Sequence, residues 1–429
     1  MIKFLDIKKN NFDFTLKKFL LNRKNKIKSE SLNITKIIKD VKKNGDKAIL
    51  KYEKKYSANR TIAPSPKMIN KAILLLDPKV KKAIDIAFNR IYKFHSKQKI
   101  KNISYIDKLN NKLEYKYIPI ESVCIYVPGS LVSYPSTVLH NAVPALIAGV
   151  KRIVMLNPSK NGKLNPAVMY AARKCKISEI YSIGGPAAIA GIVYGTKKIK
   201  KPVDKIIGPG SSHVAAAKKE MYGEVGIESM TAGPSEVTIV CDKFSNSEWI
   251  ASDLIAQAEH DSLAQCILIS KDKKFIKKVQ DSISSQLKEL PRSSIAKKSL
   301  LTNGILIYIN SNNKIIEVIN KIAPEHLELN IRDYKKVVNH IRNAGSICMG
   351  KYAVMAMTDY NVGTNHVLPT NSSARYSSGI SVNEFYKRIS YVNLSKRGIE
   401  TLGPSAITLA NFENLKGHAK SVEIRIRRK

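Results

Sequence analysis

Gln257 and His260 are the first residues whose types and spacing suit metal chemistry. They stand three apart in the stretch QAEHD (257–261), at the end of an amphipathic helical pattern, so both side chains would share one face of a helix. A single ion could then lie between them, although glutamine is a rare zinc ligand. A structural histidine at a helix end is the alternative, and this stretch alone favours it.

The stretch APEHLE (323–328) places a carboxylate beside an imidazole. Pro324 predicts the start of a helix, with Glu325 and His326 in its first turn. Such a pair suits proton transfer, because imidazole titrates near neutral pH. The alternative is a glutamate favoured by the helix dipole, next to a surface histidine.

Two later stretches carry further candidates. In TDYNVGTNHVLPT (358–370), we expect Asp359, Asn365 and His366 on a glycine-bearing loop. Asp359 could bind a metal there and His366 a substrate, while an Asx turn is the alternative. In ENLKGH (413–418), Glu413 and His418 could belong to a site, but a helix end is the simpler explanation.

Two glycine-rich turns run from a predicted strand into a predicted helix. They are GGPAAIAG (184–191) and GPGSSHVAAAKK (208–219). The backbone N–H groups at such a helix start can bind a phosphate or pyrophosphate. Neither turn has the spacing G-x-G-x-x-G, so the dinucleotide-binding fingerprint is absent.

The elements that must position these residues alternate between strands and helices, which predicts an α/β fold with parallel sheets. Buried strands are predicted in SVCIYV (122–127), KRIVML (151–156), EIYSIGG (179–185), VDKIIGPG (203–210), SEVTIVCD (235–242), QCILISKD (265–272) and GILIYIN (304–310). Alanine-rich helical patterns separate many of them. Residues 1 to about 118 and those beyond 387 are predicted to be mostly helical.

Composition narrows the class of protein. With 429 residues, 44% of them hydrophobic, the chain can form two or more domains. Its five cysteines include no C-x-x-C pair, which indicates a reducing compartment. No segment approaches about 18 uninterrupted apolar residues, so we expect a cytoplasmic protein without a membrane partner. The net charge of +39 is spread over helix-like stretches interleaved with acidic residues, and we expect no nucleic-acid partner.

The order and spacing of these stretches resemble the histidinol dehydrogenase family. The resemblance is carried by YVPG, YPSTVLHNAVPALIAGV, IGGPAAIAG, VDKIIGPG, AGPSEV, SDLIAQAEHD, APEHLE, DYNVGTNHVLPT, ARYSSGISVNEFYK and HAKSVEIR, and it runs from about residue 25 to the end. It implies zinc-dependent, NAD-linked oxidation of L-histidinol through L-histidinal to L-histidine, the last step of histidine biosynthesis. It also implies a homodimer.

The resemblance further implies a fold of two incomplete Rossmann-like domains with parallel-type sheets, plus helical N- and C-terminal extensions. Residues 1–25 would form the N-terminal extension. Residues 26–125 together with 236–378 would form a first α/β domain with the metal and acid–base site. Residues 126–235 would form a second α/β domain on the NAD side, and residues 379–429 an arm exchanged in the dimer.

Roles carry over from the resemblance by position. One zinc ion per subunit would be bound by Gln257, His260, Asp359 and His418. Glu325 and His326 would be the acid–base pair. Substrate would contact the four zinc ligands together with Ser235, His326, His366 and Glu413. NAD would contact Tyr126, Ala187 and Ser211, and Glu413 and His418 would complete the active site of the partner.

The chain departs from the family on the cofactor side, where Ala187 and Ser211 stand in place of the usual glutamine and asparagine. The loop at 353–358, ahead of Asp359, differs as well. Each lost hydrogen bond costs roughly 1 kcal/mol, or several-fold in affinity, so we expect weakened use of NAD. The alternatives are a zinc hydrolase that has lost NAD, a decayed non-catalytic zinc-binding dimer of the same fold, and aldehyde oxidation through a cysteine nucleophile.

Overall fold

The computed structural model describes residues 2–9, 11–26, 33–129, 134–228 and 233–427. The helices are α1 (Phe12–Lys26), α2 (Ile34–Asn44), α3 (Asp46–Ser57), α4 (Pro66–Leu74), α5 (Pro78–His95), α6 (Pro135–Ala148), α7 (Pro166–Lys174), α8 (Gly185–Tyr194), α9 (Ser212–Met221), α10 (Ser247–Ala258), α11 (Lys273–Gln286), α12 (Ser293–Asn303), α13 (Asn312–Ile322), α14 (Tyr334–Val338), α15 (Met355–Tyr360), α16 (Lys396–Phe412) and α17 (Lys416–Ile426). The strands are β1 (Lys3–Asp6), β2 (Ile103–Ile106), β3 (Lys112–Pro119), β4 (Ser122–Tyr126), β5 (Arg152–Leu156), β6 (Glu179–Tyr181), β7 (Lys205–Ile207), β8 (Gly226–Ile227), β9 (Glu236–Cys241), β10 (Gln265–Ser270), β11 (Ile305–Tyr308), β12 (His326–Asn330), β13 (Ser346–Met349) and β14 (Tyr386–Asn393).

Two parallel sheets form the framework of the first compact unit, which comprises residues 1–98 and 121–384. One sheet has six strands in the order β1-β11-β10-β9-β12-β13, and the other has five in the order β6-β5-β4-β7-β8. When β1 is set aside, both follow the order 3-2-1-4-5 of a doubly wound dinucleotide-binding sheet that lacks its sixth strand. The predicted α/β class with two incomplete Rossmann-like sheets is therefore confirmed, as are the seven predicted strands.

The six-stranded sheet is covered on both faces, because successive side chains of a strand point to opposite sides. Val237 and Ile239 of β9 enter a core that α10, α11 and α12 close. Val240, on the other face, joins a core with Phe12 of α1 and Ile319 of α13. This two-sided burial explains why the parallel strands are continuous apolar runs in the sequence.

The five-stranded sheet packs against helices from the N-terminal region. Ile38 of α2 and Ile49 of α3 lie in one core with Cys124 of β4 and Ile206 of β7. The packing thus joins residues 34–62 to this sheet, whereas residues 26–125 were predicted to belong to the domain of the other sheet. Helical periodicity identifies which face of α2 is buried, but not which sheet covers it.

A second compact unit consists of residues 99–120 and 385–429. It contains the antiparallel sheet β14-β3-β2 and the helices α16 and α17. Both regions were predicted to be mostly helical, and for the three strands that prediction was wrong. All four residues of β2 are exposed, so the alternation of buried and polar residues that identifies a strand is missing. In the part of the chain described above, no helix is long and apolar enough to cross a membrane.

Candidate active site

A cavity of about 350 Å³ in the first unit gathers most of the residues that the sequence analysis selected. The selected residues that line it are Ser211, Ser235, Gln257, His260, Glu325, His326, Asp359 and His366. They come from stretches up to about 155 positions apart, and the fold alone brings them together.

The two sheets present opposite ends to this cavity. The five-stranded sheet contributes residues that follow its strands, namely Pro128 after β4 and Gly210 after β7. The six-stranded sheet contributes residues at the start of its strands, namely Ser235 before β9 and His326 at the beginning of β12. Ligands of open α/β sheets usually bind at the carboxyl ends of strands, a rule that only the five-stranded sheet follows here.

His326 is the first residue of strand β12 and Glu325 directly precedes it, so the predicted helix was wrong. Helix α13 ends at Ile322, and Ala323 after it has a left-handed conformation with φ of 49°. Every residue of β12 is buried, because this parallel strand has neighbours on both sides and its side chains enter packed layers on both faces. The Glu325 carboxylate accepts a hydrogen bond of 2.7 Å from the backbone N–H of Glu236, which fixes it beside β9.

The His326 ring has two carboxylates near its Nε2 atom. Its Nε2 is 4.0 Å from Oε1 of Glu325 and 3.8 Å from Oδ1 of Asp359. Burial, together with the nearby rings of His366 and His260, lowers the pKa of His326 to about 3. The imidazole is therefore neutral near pH 7, which is the form that can accept a proton.

Asp359 lies on the short helix α15, and the prediction of a loop for it was wrong. The first N–H of this helix, from Met355, donates to Oε1 of Glu328 at 2.7 Å, so a buried carboxyl group holds the helix start. Burial raises the pKa of Asp359 to about 7. Its Oδ1 is buried and has no hydrogen-bond partner among the described residues.

Gln257 and His260 lie at the end of α10, as predicted, but only Gln257 is within the helix, which ends at Ala258, so the shared helix face was wrong for His260. Gln257 is buried in the last turn of the helix, and the backbone N–H of His260 donates to the carbonyl of Gln257 at 3.3 Å. The described residues contain no group of three His, Cys, Asp or Glu side chains placed to hold a metal ion. The cavity nevertheless offers the imidazole of His260 and the unpartnered carboxylate of Asp359, which are common zinc donors, and the amide of Gln257, which is a rare one.

Ser235 and His366 both line this cavity. The backbone carbonyl of Ser235 accepts a hydrogen bond of 3.0 Å from the N–H of Gln265, which anchors the turn before β9. His366 lies on the loop after α15, where burial lowers its pKa to about 4. Its Nε2 lacks a hydrogen-bond partner in the described part of the chain, so the ring can accept one from a ligand.

The three predicted NAD contacts differ in position. Ser211 is exposed and lines the cavity. Tyr126 and Ala187 are buried and are absent from its lining. The Tyr126 hydroxyl accepts a hydrogen bond of 3.2 Å from the N–H of Gly185, and the Glu53 carboxylate accepts one of 2.7 Å from the N–H of Gly184. The glycine turn before α8 is thus already held by protein groups, whereas the turn before α9 faces the cavity.

Glu413 and His418 lie in the second unit. Glu413 follows the last residue of α16, and His418 is the third residue of α17. Both side chains are exposed. Their predicted roles in zinc and substrate binding stay predictions.

The five cysteines are buried and unpaired. Burial raises the pKa of Cys124, Cys266 and Cys348 to about 12 and raises those of the other two as well. A cysteine nucleophile acts as the thiolate. The cysteine route for aldehyde oxidation therefore finds no support in the described residues.

Local sequence patterns do not identify a second group of buried polar residues, which lies near His366 and Asp359. His140 of α6 contacts His366, with ring centroids 4.2 Å apart. Glu328 of β12 and Asp253 of α10 share a hydrogen bond between their carboxyl groups, and burial raises the pKa of both. The signal for His140 was a histidine within an otherwise apolar helical stretch, but nothing in that stretch named its partner.

Comparisons with known proteins agree with this geometry. The family model described as histidinol dehydrogenase matches residues 21–426. A histidinol dehydrogenase of Pelagibacter ubique is 76% identical over 429 residues, which is 100% of both chains. A histidinol dehydrogenase of Rhizobium meliloti is 45% identical over 404 residues, 93% of each chain. The crystal structure of histidinol dehydrogenase from Elizabethkingia anophelis superposes with a TM-score of 0.91 at 35% identity, covering 99% of this chain and 98% of that one.

Proposed function

The chain belongs to the histidinol dehydrogenase family of NAD-dependent oxidoreductases, and from this premise we propose that it oxidises L-histidinol through L-histidinal to L-histidine with one zinc ion per subunit. The observation that carries the proposal is the convergence of both acid–base residues and three predicted zinc ligands on one cavity. Two successive oxidations remove four electrons in total from the substrate.

Gln257, His260 and Asp359 would hold the zinc ion, together with His418 of the partner subunit. The buried Oδ1 of Asp359 supports this assignment, because an unpaired buried carboxylate is costly unless a cation or proton joins it. Zinc, when bound, acts as a Lewis acid that orients the amino alcohol. Ser235 and His366 line the same cavity and would bind the polar groups of L-histidinol.

Proton transfer falls to His326 and Glu325. In the first oxidation, neutral His326 accepts the proton of the substrate hydroxyl. In the second, the Glu325 carboxylate accepts a proton from the water that adds to the aldehyde carbon. Two molecules of NAD, when bound in turn, each accept two electrons. Because the aldehyde is reactive, a site that retains it between the two steps prevents its loss.

We also propose a homodimer in which Glu413 and His418 of one subunit complete the active site of the other. The second unit supports this arrangement, since it leaves large apolar side chains in solvent. Phe412, Leu409 and Val392 are 86%, 63% and 64% exposed. Leu409 and Phe412 stand three apart on α16 and so share one helix face, and an exposed apolar patch typically marks a contact between proteins. A cytoplasmic location is part of the proposal, and the five unpaired cysteines support it.

Weakened use of NAD belongs to the same proposal. Ala187 is 3% exposed and its methyl group cannot hydrogen-bond to a cofactor. Ser211 retains a hydroxyl at the cavity, but it is shorter than the usual asparagine. The NAD affinity is therefore expected to be several-fold below that of relatives with both carboxamides.

The test is the stoichiometry of the reaction. Purified protein with zinc, excess NAD and limiting L-histidinol is expected to form two NADH per L-histidinol, with L-histidine as the product. Binding of zinc and L-histidinol without any NADH would favour the decayed, non-catalytic dimer. A zinc-dependent reaction that proceeds without NAD would favour the hydrolase. Either result would overturn the proposal.

A further inference from the structure

The loop between α15 and His366 is held against helix α5. Arg90 of α5 donates from Nε to the carbonyl of Asn361 at 2.6 Å and from a terminal nitrogen to that of Val362 at 3.2 Å. Gly363, with φ of 120°, lies close to helix α5. A Cβ atom at this position would be 3.1 Å from the carbonyl oxygen of Arg90. The backbone of the loop therefore follows the last turns of α5.

Asn365 connects this loop to two further elements. Its Nδ2 donates to the backbone carbonyl of His140 at 2.6 Å and lies 3.3 Å from Nε2 of His95. Its Oδ1 accepts a hydrogen bond of 2.9 Å from the N–H of Val367. The Asn365 carboxamide thus binds the backbone just after His366 and reaches residues of α5 and α6. Both its nitrogen and its oxygen have partners.

His95 is fully buried at the end of α5 and supplies the acceptor for Asn365. Its Nδ1 lies 2.9 Å from the carbonyl of Ile91. Because a carbonyl only accepts, Nδ1 carries the hydrogen, and in that tautomer Nε2 can accept from the Asn365 amide. Burial lowers the pKa of His95, which favours the neutral ring.

His140 touches His366 directly. The two rings have centroids 4.2 Å apart and are inclined at 55°. His140 is fully buried in α6, so its ring cannot move away from that contact without disturbing the core. His140 therefore restricts the His366 ring with its side chain and binds Asn365 with its backbone carbonyl.

We propose that Asn365, held by His95 and His140, is a positioning residue that orients the His366 ring toward the substrate. The inference rests on the proposed role of His366 in binding L-histidinol. A free loop would lose conformational freedom on binding the substrate, whereas a loop ordered in advance avoids much of that loss. The hydrogen bonds of Asn365 therefore contribute to substrate affinity without contact to the substrate.

Asn365→Ala is the direct test, because it removes all three contacts of the carboxamide. We expect the KM for L-histidinol to rise about tenfold, which corresponds to roughly 1.4 kcal/mol, while kcat changes less than about threefold. Zinc content is expected to stay at the wild-type level. A residue that only stabilised the fold would lower the melting temperature and leave KM unchanged.

Asn361→Ala is the matched control on the same loop, since Arg90 contacts only the backbone carbonyl of Asn361. It is expected to keep the wild-type KM. His95→Phe keeps a ring of similar size and removes the acceptor, so it is expected to raise KM in the same direction as Asn365→Ala. It serves as the second variant if Asn365→Ala fails to fold.

Hydrogen–deuterium exchange of residues 361–368 gives a readout that does not need turnover. Asn365→Ala is expected to speed exchange there, with little change in β9 and β12. A wild-type protein that does not oxidise L-histidinol would refute the proposed function, and the exchange result would still decide whether Asn365 orders the loop. Unchanged exchange, a KM within about twofold of wild type, or an equal effect of Asn361→Ala would overturn the inference.

Discussion

Oδ1 of Asp359 lies 3.8 Å from Nε2 of His326, and this carboxylate oxygen has no hydrogen-bond partner among the described residues. The Asp359 side chain is only 15% exposed, and burial raises its pKa to about 7. A carboxylate in such surroundings is stabilised by a cation. A cation bound there would lie beside the imidazole that is proposed to accept the substrate proton.

Asp359→Asn tests the metal assignment. The amide has the same shape but no charge, so we expect zinc to be lost on dialysis and kcat to fall by more than about 100-fold. Metal analysis of the dialysed protein and NADH formation measure the two effects. Asp261→Asn is the control, because Asp261 lines the cavity but its Oδ1 accepts from the N–H of Leu263. Wild-type zinc content in Asp359→Asn would contradict the assignment.

Glu325→Gln tests the proposed proton acceptor. The glutamine Oε1 can still accept from the N–H of Glu236, so the local structure is expected to persist. We expect kcat to fall by about 100- to 10,000-fold, with zinc content and the KM for L-histidinol near those of wild type. Glu259→Gln, next to His260, should leave kcat unchanged. A Glu325→Gln enzyme within about threefold of the wild-type kcat would rule out the role.

Glu328→Gln is expected to stabilise the protein at alkaline pH. Burial raises the pKa of Glu328 to about 8, so the folded protein binds this proton more tightly than the unfolded chain, whose carboxyl titrates near 4.5. The stability contributed by this group is therefore full below about pH 4.5 and is lost as the pH rises toward 8. Glutamine keeps a donor for Asp253 and an acceptor for the N–H of Met355 without a proton to lose.

Urea unfolding at pH 5 and pH 9 measures this effect. We expect Glu328→Gln to gain about 1–3 kcal/mol in free energy of unfolding at pH 9 and much less at pH 5. Glu317→Gln is the control, because salt bridges to Lys314 and Lys321 lower the pKa of that exposed carboxylate. If Glu328→Gln gains no free energy of unfolding at pH 9, or if Glu317→Gln gains as much, a proton shared between Glu328 and Asp253 would be refuted.

Ser211→Asn is expected to improve NAD binding. Ser211 precedes the first residue of α9, makes no side-chain capping bond, and lines the cavity. Asparagine is also a favoured residue at such a helix start, so the fold should tolerate it. We expect the KM for NAD to fall several-fold, which steady-state kinetics would detect. Ser65→Asn, the same change at the start of α4, is the control and should leave the KM for NAD unchanged. An unchanged KM for NAD in Ser211→Asn would argue against weakened NAD use through this position.

The strands of the parallel sheets could be predicted because β4, β5 and β9 are short apolar runs bounded by turns. The antiparallel strands β2 and β14 could not, since β2 and most of β14 are exposed and show no alternation of buried and exposed residues. His326 was placed in a helix because proline can open one, but the pairing of β12 with β9 and β13 makes it part of a strand. At His326, the pairing of distant strands therefore overrode the local helix signal of the proline.

The candidate site could be predicted only in part from local spacing. Gln257 and His260 share a helix end, and their relationship is visible in the sequence. Asp359 and Glu325 are brought to them by sheet order and by the anchoring of α15 to Glu328, which no local pattern encodes. Asn365 was selected as a loop residue, but its bonds to His95 and His140 cross 270 and 225 positions of the chain.

Zinc removal and restoration tests the central claim most directly. The protein is stripped with a chelator, dialysed, and assayed for NADH formation from L-histidinol before and after titration with zinc. We expect activity to vanish on stripping and to return in proportion to added zinc, up to one ion per subunit, with two NADH formed per L-histidinol. Full activity in protein shown by metal analysis to be free of zinc, or none at saturating NAD after zinc is restored, would contradict the account.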